Sequence, residues 1–151
     1  MKRVVLAVAS LFVVGCTTMG QPYSQPPPAP QGKALVHFMR TSVGQGNFWQ
    51  TVFSVNDVNV VSLYDKGYSW IHLDAGTYKF SAGTVFNADY LKFNMPIQPG
   101  AEYFIEYNQE STYPRYRNVI RAVHPNVGKS KVEKYSYKEA DKVEIPSKPK
   151  E

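Results

Sequence analysis

The chain has a single cysteine, Cys16, among its 151 residues. That excludes an internal disulfide and any thiolate-clustered metal site. Histidine is scarce too. His37, His72 and His124 are the three present, and no two of them stand at metal-ligand spacing such as H-x-x-x-H. No serine lies in a G-x-S-x-G context, and Asp57, Asn59 and Asp65 do not make a calcium-loop spacing. Charge of one sign is thin: 17 Lys and Arg oppose 12 Asp and Glu, for a formal net charge of +5. The basic residues are scattered, so neither the balance nor the pattern points to nucleic acid.

Long apolar runs are also missing, with one informative exception. Met1-Lys2-Arg3 is a short positive segment, and Val4 to Val14, "VVLAVASLFVV", is uncharged and apolar over 11 residues. A helix of that length rises about 16 Å, far short of the ~30 Å hydrocarbon core. It reads as the apolar part of a signal peptide rather than a membrane span. The run ends in Val13-Val14-Gly15-Cys16, which resembles the bacterial lipobox: aliphatic, small or β-branched, small, then cysteine. The resemblance implies cleavage between Gly15 and Cys16, a diacylglycerol on the Cys16 thiol and an acyl chain on the new amino group. Those covalent lipids are the only non-protein groups expected; no cofactor or metal is. The alternative is an ordinary secreted protein with a free buried cysteine.

One acyl chain anchors only marginally, whereas two or three hold stably. Thr17 follows the cysteine. An Asp there commonly retains such lipoproteins at the inner membrane, so Thr17 leans towards the outer membrane, with the domain in the periplasm. Loss of Lys2 and Arg3 with the leader lowers the formal charge from +5 to +3.

Four segments are expected: a signal peptide over 1–15, a lipidated cysteine and tether over 16–33, a β-domain over 34–135, and a tail over 136–151. The tether, "TTMGQPYSQPPPAPQGK", carries Pro22, Pro26, Pro27, Pro28 and Pro30. Such a segment favours extended polyproline backbone and, at ~3.1 Å per residue, could reach about 50 Å from the lipid. A proline-recognition ligand is the sharper alternative.

From Ala34 to about Pro125 the chain reads as short strands: 34–40, 50–57, 59–64, 67–73, 76–84, 91–97, 102–108 and 118–124. Asp57-Val58 is the expected tight hairpin. Other turns are Gly44-Gln45-Gly46-Asn47, Asp65-Lys66-Gly67, Asp74-Ala75-Gly76 and Pro99-Gly100. Alternation places Tyr78, Phe80 and Ala82 on one face, and likewise Leu91, Phe93, Met95 and Ile97. It sets Tyr103, Ile105 and Tyr107 against Glu102, Phe104 and Glu106, and Ile71 and Leu73 against Tyr68, Trp70 and His72. Such spacing, without helical periods between, indicates an all-β fold: an antiparallel β-sandwich or a small barrel. In the tail, Ser136-x-x-Glu139 has the capping-box pattern, so 137–143 is expected to form a short helical turn, with fraying from Pro146.

Three pieces carry a family likeness: "VFSVNDVNVVSLYDKGYSWIHL", "LDAGTYKFSAGT" and "IQPGAEYFIEY". With the lipobox, they resemble a family of small bacterial lipoproteins built on a domain of unknown function. More distantly they resemble the Ig- or transthyretin-like β-modules called PEGA domains. The likeness spans about residues 34–125. It departs where the family usually has Pro-Gly or Asp-Gly and this chain has Asp74-Ala75-Gly76 and Asn56-Asp57-Val58-Asn59. The resemblance implies a β-fold and an envelope address, and no catalytic residues.

The remaining unusual feature is aromatic: 11 Tyr, 8 Phe and 2 Trp. Most follow the strand period as core or cross-strand partners. Two loop clusters stand apart: Asn47-Phe48-Trp49, and Tyr113-Pro114-Arg115-Tyr116-Arg117. Tyr, Trp and Arg favour contact hot spots, and loops on a sandwich commonly carry binding. Trp49, Tyr113, Arg115, Tyr116 and Arg117 are therefore the candidate contacts to another envelope protein or a glycan. The alternative is that they fold back over a sheet edge. Asp65 and Asp74 sit at turns, where Asp bonds its own backbone, and do not form a catalytic pair. The expected function is a lipid-anchored, non-catalytic recognition module. The alternatives are an envelope enzyme or small-ligand carrier, which needs a concave pocket with converging polar groups, and a purely structural envelope lipoprotein.

Overall fold

The computed structural model describes residues 20–41, 49–84, 87–112 and 115–146, with backbone alone at 87–89, 111–112 and 115–116. Cys16, Gly15, the Gly44–Asn47 turn, Phe48 and Tyr113 lie outside the described residues.

Among the described residues, nine strands and one helix follow in order: β1 (Lys33–Arg40), β2 (Thr51–Val55), β3 (Val58–Leu63), β4 (Gly67–Asp74), β5 (Gly76–Thr84), β6 (Asn87–Ile97), β7 (Glu102–Thr112), β8 (Arg115–Val123), α1 (Pro125–Val132) and β9 (Ser136–Tyr137). They form two open sheets, ordered β8-β7-β1-β4-β9 and β3-β2-β5-β6. The fold is an all-β sandwich, and the described strands do not close into a barrel. Most pairings are antiparallel, but β1 runs parallel to β7, and β4 parallel to β9.

The alternation in sequence is what builds the core. Ala34, Val36 and Phe38 of β1, Leu73 of β4, and Ile105 and Tyr107 of β7 face Phe53, Val61, Tyr78, Phe80, Ala82 and Ile97 of the other sheet. Phe38 lies against Phe53 and Phe80, with ring centroids 5.4 and 6.3 Å apart. Both are tilted arrangements that aromatic pairs favour.

The β2–β3 hairpin turns on Asn56-Asp57, one residue earlier than expected. Both have positive φ, 47° and 66°, as a type I′ turn requires to match strand twist. Asn56 is a residue type that tolerates this conformation, and its buried side chain is bonded at both ends. Its Oδ1 accepts from the Lys79 N–H, and its Nδ2 donates to the Pro146 carbonyl, each at 2.8 Å.

Two expectations about the ends are corrected. The helix is at 125–132, not 137–143. Pro125 suits a first helical turn, where a missing N–H costs nothing, and His124 Nδ1 caps the Asn126 N–H. Ser136 and Tyr137 instead extend beside β4, and 138–146 follow the edge of the sandwich. There the Asp141 N–H donates to the Val60 carbonyl, and Ile145 packs on the core. The proline-rich segment is docked rather than free over residues 20–33: Gln21 bridges Tyr137, and Ser24 bonds Tyr68.

Candidate functional site

β1 is apolar on both faces, so the outer face of its sheet also needs cover. Three rows of side chains cross that face, set by the register of β4, β1 and β7: His72–Leu35–Glu102, Trp70–His37–Phe104 and Tyr68–Met39–Glu106. α1 covers part of them. Gly128 sits so close that a Cβ there would lie 2.1 Å from Phe104 Cγ. Val132 is buried beside Met39, Tyr68 and Phe104.

The proline segment crosses the part over Leu35, His37 and Phe104 and leaves a half-open cavity of about 430 Å³ beneath it. Pro26, Pro27 and Pro28 roof it. Leu35, His37 and Phe104 floor it, and Glu102, Lys129 and Glu133 stand at its side. The His37 ring is 1% exposed and stacks on Phe104, centroids 4.3 Å apart and nearly coplanar in orientation. Its Nε2 lies 3.0 Å from Glu102 Oε1, while Nδ1 is buried without a partner among the described residues. Burial lowers the His37 pKa, outweighing the opposite pull of Glu102. The ring is therefore neutral at neutral pH, donating from Nε2 and leaving Nδ1 as an acceptor. Glu102 gives its other oxygen to Lys129 Nζ at 2.8 Å. The carboxylate is thus shared between two donors.

One row along, Glu106 is a fully buried carboxylate. It accepts from Lys131 of α1, from the Thr41 hydroxyl, and from Arg121 of β8 at 3.1 and 3.2 Å. Arg121 also bonds Glu110 at 2.8 Å. Burial alone would raise the Glu106 pKa, but these donors prevail and hold it below the usual carboxylate value.

At the end of the sandwich where β1 finishes, Arg40 is buried, and its Nη1 donates to the carbonyls of Trp49 and, at 3.2 Å, Leu63. This pins Trp49, a residue that is 59% exposed. Tyr90, 63% exposed, lies at the same end. It borders a second cavity of about 230 Å³ with Gly83, Thr84, Tyr107 and Asn118. Arg117 is exposed in β8, opposite Glu110. The backbones of Arg115 and Tyr116 pair with Thr112 and Ser111. Of the expected contacts, Trp49 and Arg117 thus reach the surface at this end, joined by Tyr90, which the sequence reading placed with no site.

His37 and His72 share the outer face, whereas His124 caps α1. Among the described residues no group of three or more His, Cys, Asp or Glu side chains is arranged to hold a metal ion. Asp74 pairs with Lys33 at 2.9 Å. The His37–Glu102–Lys129 cavity escaped sequence reasoning. Its one signal was β1 itself: Leu35, His37 and Met39 are too apolar for a solvent face.

No family model matches the chain, and no curated protein or solved structure matches it.

Proposed function

We propose that this chain is a lipid-anchored protein of the bacterial cell envelope, acylated at Cys16, whose sandwich recognises an envelope protein or glycan without catalysis. The anchoring part rests on the positive start, the apolar run and the Val13-Val14-Gly15-Cys16 motif. The recognition part rests on one observation: Trp49 and Tyr90 stand more than half exposed at one end of the sandwich, where Tyr90 borders a cavity and Arg117 is exposed in β8. Exposed aromatics next to an arginine are the usual anchors of a contact surface. The ionisable groups of the outer face favour structure over chemistry, since Glu102 and Glu106 are each committed to two or more donors.

Two measurements test this. Mass spectrometry of the mature protein should show a diacylated or triacylated Cys16, and Cys16→Ser should remove the label and release the protein from membranes. Crosslinking in cells from position 49 or 117, followed by mass spectrometry, should capture a reproducible envelope component. Unchanged capture in a Trp49→Ala, Arg117→Ala variant would sink the assignment of this end.

A second reading, a small-ligand carrier, is favoured by the cavity under Pro26–Pro28, with the lone acceptor Nδ1 of His37 at its floor. Native mass spectrometry of the purified protein would show a retained small molecule that His37→Phe loses.

A further inference from the structure

The docked course of the proline segment fixes where the chain leaves the domain. Gln21 and Tyr137 exchange two backbone hydrogen bonds, at 2.9 and 2.6 Å. The Tyr68 hydroxyl then accepts from the Ser24 N–H at 3.1 Å and donates to the Ser24 carbonyl at 3.2 Å. Pro26–Pro28 cross the cavity, and Lys33 N–H closes on the Pro30 carbonyl at 3.0 Å as β1 begins. The segment thus runs down the outer face, antiparallel to β1. Gly20 lies beside Ser136, level with the start of β4 at Gly67 and the end of β1 at Arg40. That is the end of the sandwich bearing Trp49 and Tyr90.

Gln21 is five Cα steps from Cys16, which at full extension span at most about 18 Å. A free segment from Cys16 to Lys33 would span about 50 Å. Docking therefore removes most of the reach. We propose that the end of the sandwich carrying Trp49 and Tyr90 lies on the lipid headgroups of the membrane that holds Cys16. The inference rests on acylation of Cys16, and it goes beyond the recognition reading: the surface this end meets is the headgroup layer in place of an envelope protein or glycan. Trp and Tyr suit that layer, because each has an apolar body and a polar tip.

Gly20 supplies the control. Its φ is +145°, and a Cβ there would lie 2.6 Å from Ser136 Cβ and 3.0 Å from the Tyr137 carbonyl oxygen. Gly20→Ala should undock the start of the segment and leave the sandwich intact. Gln21→Pro, which removes the N–H bonded to Tyr137, is a second route to the same state.

The experiment uses the acylated full-length mature protein in phosphatidylcholine vesicles containing brominated lipid. It reads flotation with the vesicles and tryptophan quenching, with Trp49→Phe to isolate the Trp49 signal. The expected result is quenching of Trp49 in the native protein. In Gly20→Ala and Gln21→Pro the quenched fraction should fall about twofold or more while flotation is retained. Flotation without Trp49 quenching would overturn the membrane-facing end and leave the anchor standing. Quenching unchanged in both undocked variants would overturn the short link as its cause. Loss of flotation together with an unmodified Cys16 mass would overturn the anchoring reading, and this inference with it.

Discussion

Lys131, in the last turn of α1, donates to the buried carboxylate of Glu106 in β7, and this contact ties the helix to the sheet. Arg121 and Thr41 complete the set, so three elements and a strand end converge on one charge. Glu106→Gln keeps the shape and removes the charge. Breaking a buried pair costs roughly 3–5 kcal/mol, but Lys131 and Arg121 are 30% and 46% exposed and can rehydrate. The expected loss is about 2 kcal/mol in urea unfolding. A loss below about 0.5 kcal/mol would show the network to be dispensable.

Acid should act on the same contact. Glu106 is held below its ordinary value of 4.5, because its donors outweigh the burial that would raise it. The folded state thus favours the ionised form more than the unfolded chain does. That stabilisation is whole above about pH 4.5 and is lost as pH falls through the lower folded value. Melting temperature followed below pH 5 should fall more steeply in the native protein than in Glu106→Gln.

His37 acts in a different window. Burial lowers its pKa from the ordinary 6.5, with Glu102 opposing. The unfolded chain therefore takes up this proton first. Stability from keeping His37 neutral is full above about pH 6.5 and declines as pH falls towards the folded value. His37→Phe should abolish that part of the decline between pH 6.5 and 5. An identical slope in the variant would assign the decline to other groups.

The strand faces could be read in the sequence because period-two alternation is a local signal. Tyr78, Phe80 and Ala82 all enter the core, as do Ile71 and Leu73. α1 could not, because "PNVGKSKV" lacks an apolar stripe: Val132 is its one buried large side chain, and Gly128 is buried for close approach. The capping-box pattern at Ser136 misled for a tertiary reason. The Ser136 N–H is taken by the Lys66 carbonyl, and Tyr137 by Gln21, so strand pairing won over helix. The same holds for the candidate site. Trp49 and Arg117 stand out as loop and edge residues, whereas the cavity needs prolines 26–28 brought over His37 from outside the domain's expected boundary.

Gly128→Ala tests the fit of α1 on the sheet. Alanine favours a helix over glycine by about 1 kcal/mol, so an exposed site would gain. Here the new Cβ would lie 2.1 to 2.6 Å from three atoms of Phe104. Overpacking of that kind costs roughly 1–3 kcal/mol. The variant should therefore be less stable by about 1 kcal/mol or more. Phe104→Leu in the same chain should recover part of the loss. A stabilised Gly128→Ala would mean that the helix shifts freely on the sheet.

Asn56 offers the sharpest separation of backbone strain from hydrogen bonding. Its φ is 47°, a conformation that costs an ordinary L-residue about 1 kcal/mol. Its side chain also satisfies the Lys79 N–H and holds the Pro146 carbonyl, fastening the tail to the hairpin. Asn56→Ala loses both, leaving the part-buried Lys79 N–H unsatisfied at about 1–3 kcal/mol. The expected cost is about 3 kcal/mol in urea unfolding. Asn56→Gly loses the same bonds without the backbone strain, so it should be about 1 kcal/mol more stable than the alanine variant. Asn56→Asp keeps the acceptor for Lys79 and loses the donor to Pro146. Its buried carboxylate then faces the Pro146 carbonyl, and limited proteolysis should cut within 138–146 faster than in the native chain. Equal losses for Gly and Ala would show that the left-handed turn carries no strain. A protected tail in Asn56→Asp would show that Ile145 against the core and Asp141 on Val60 hold it unaided.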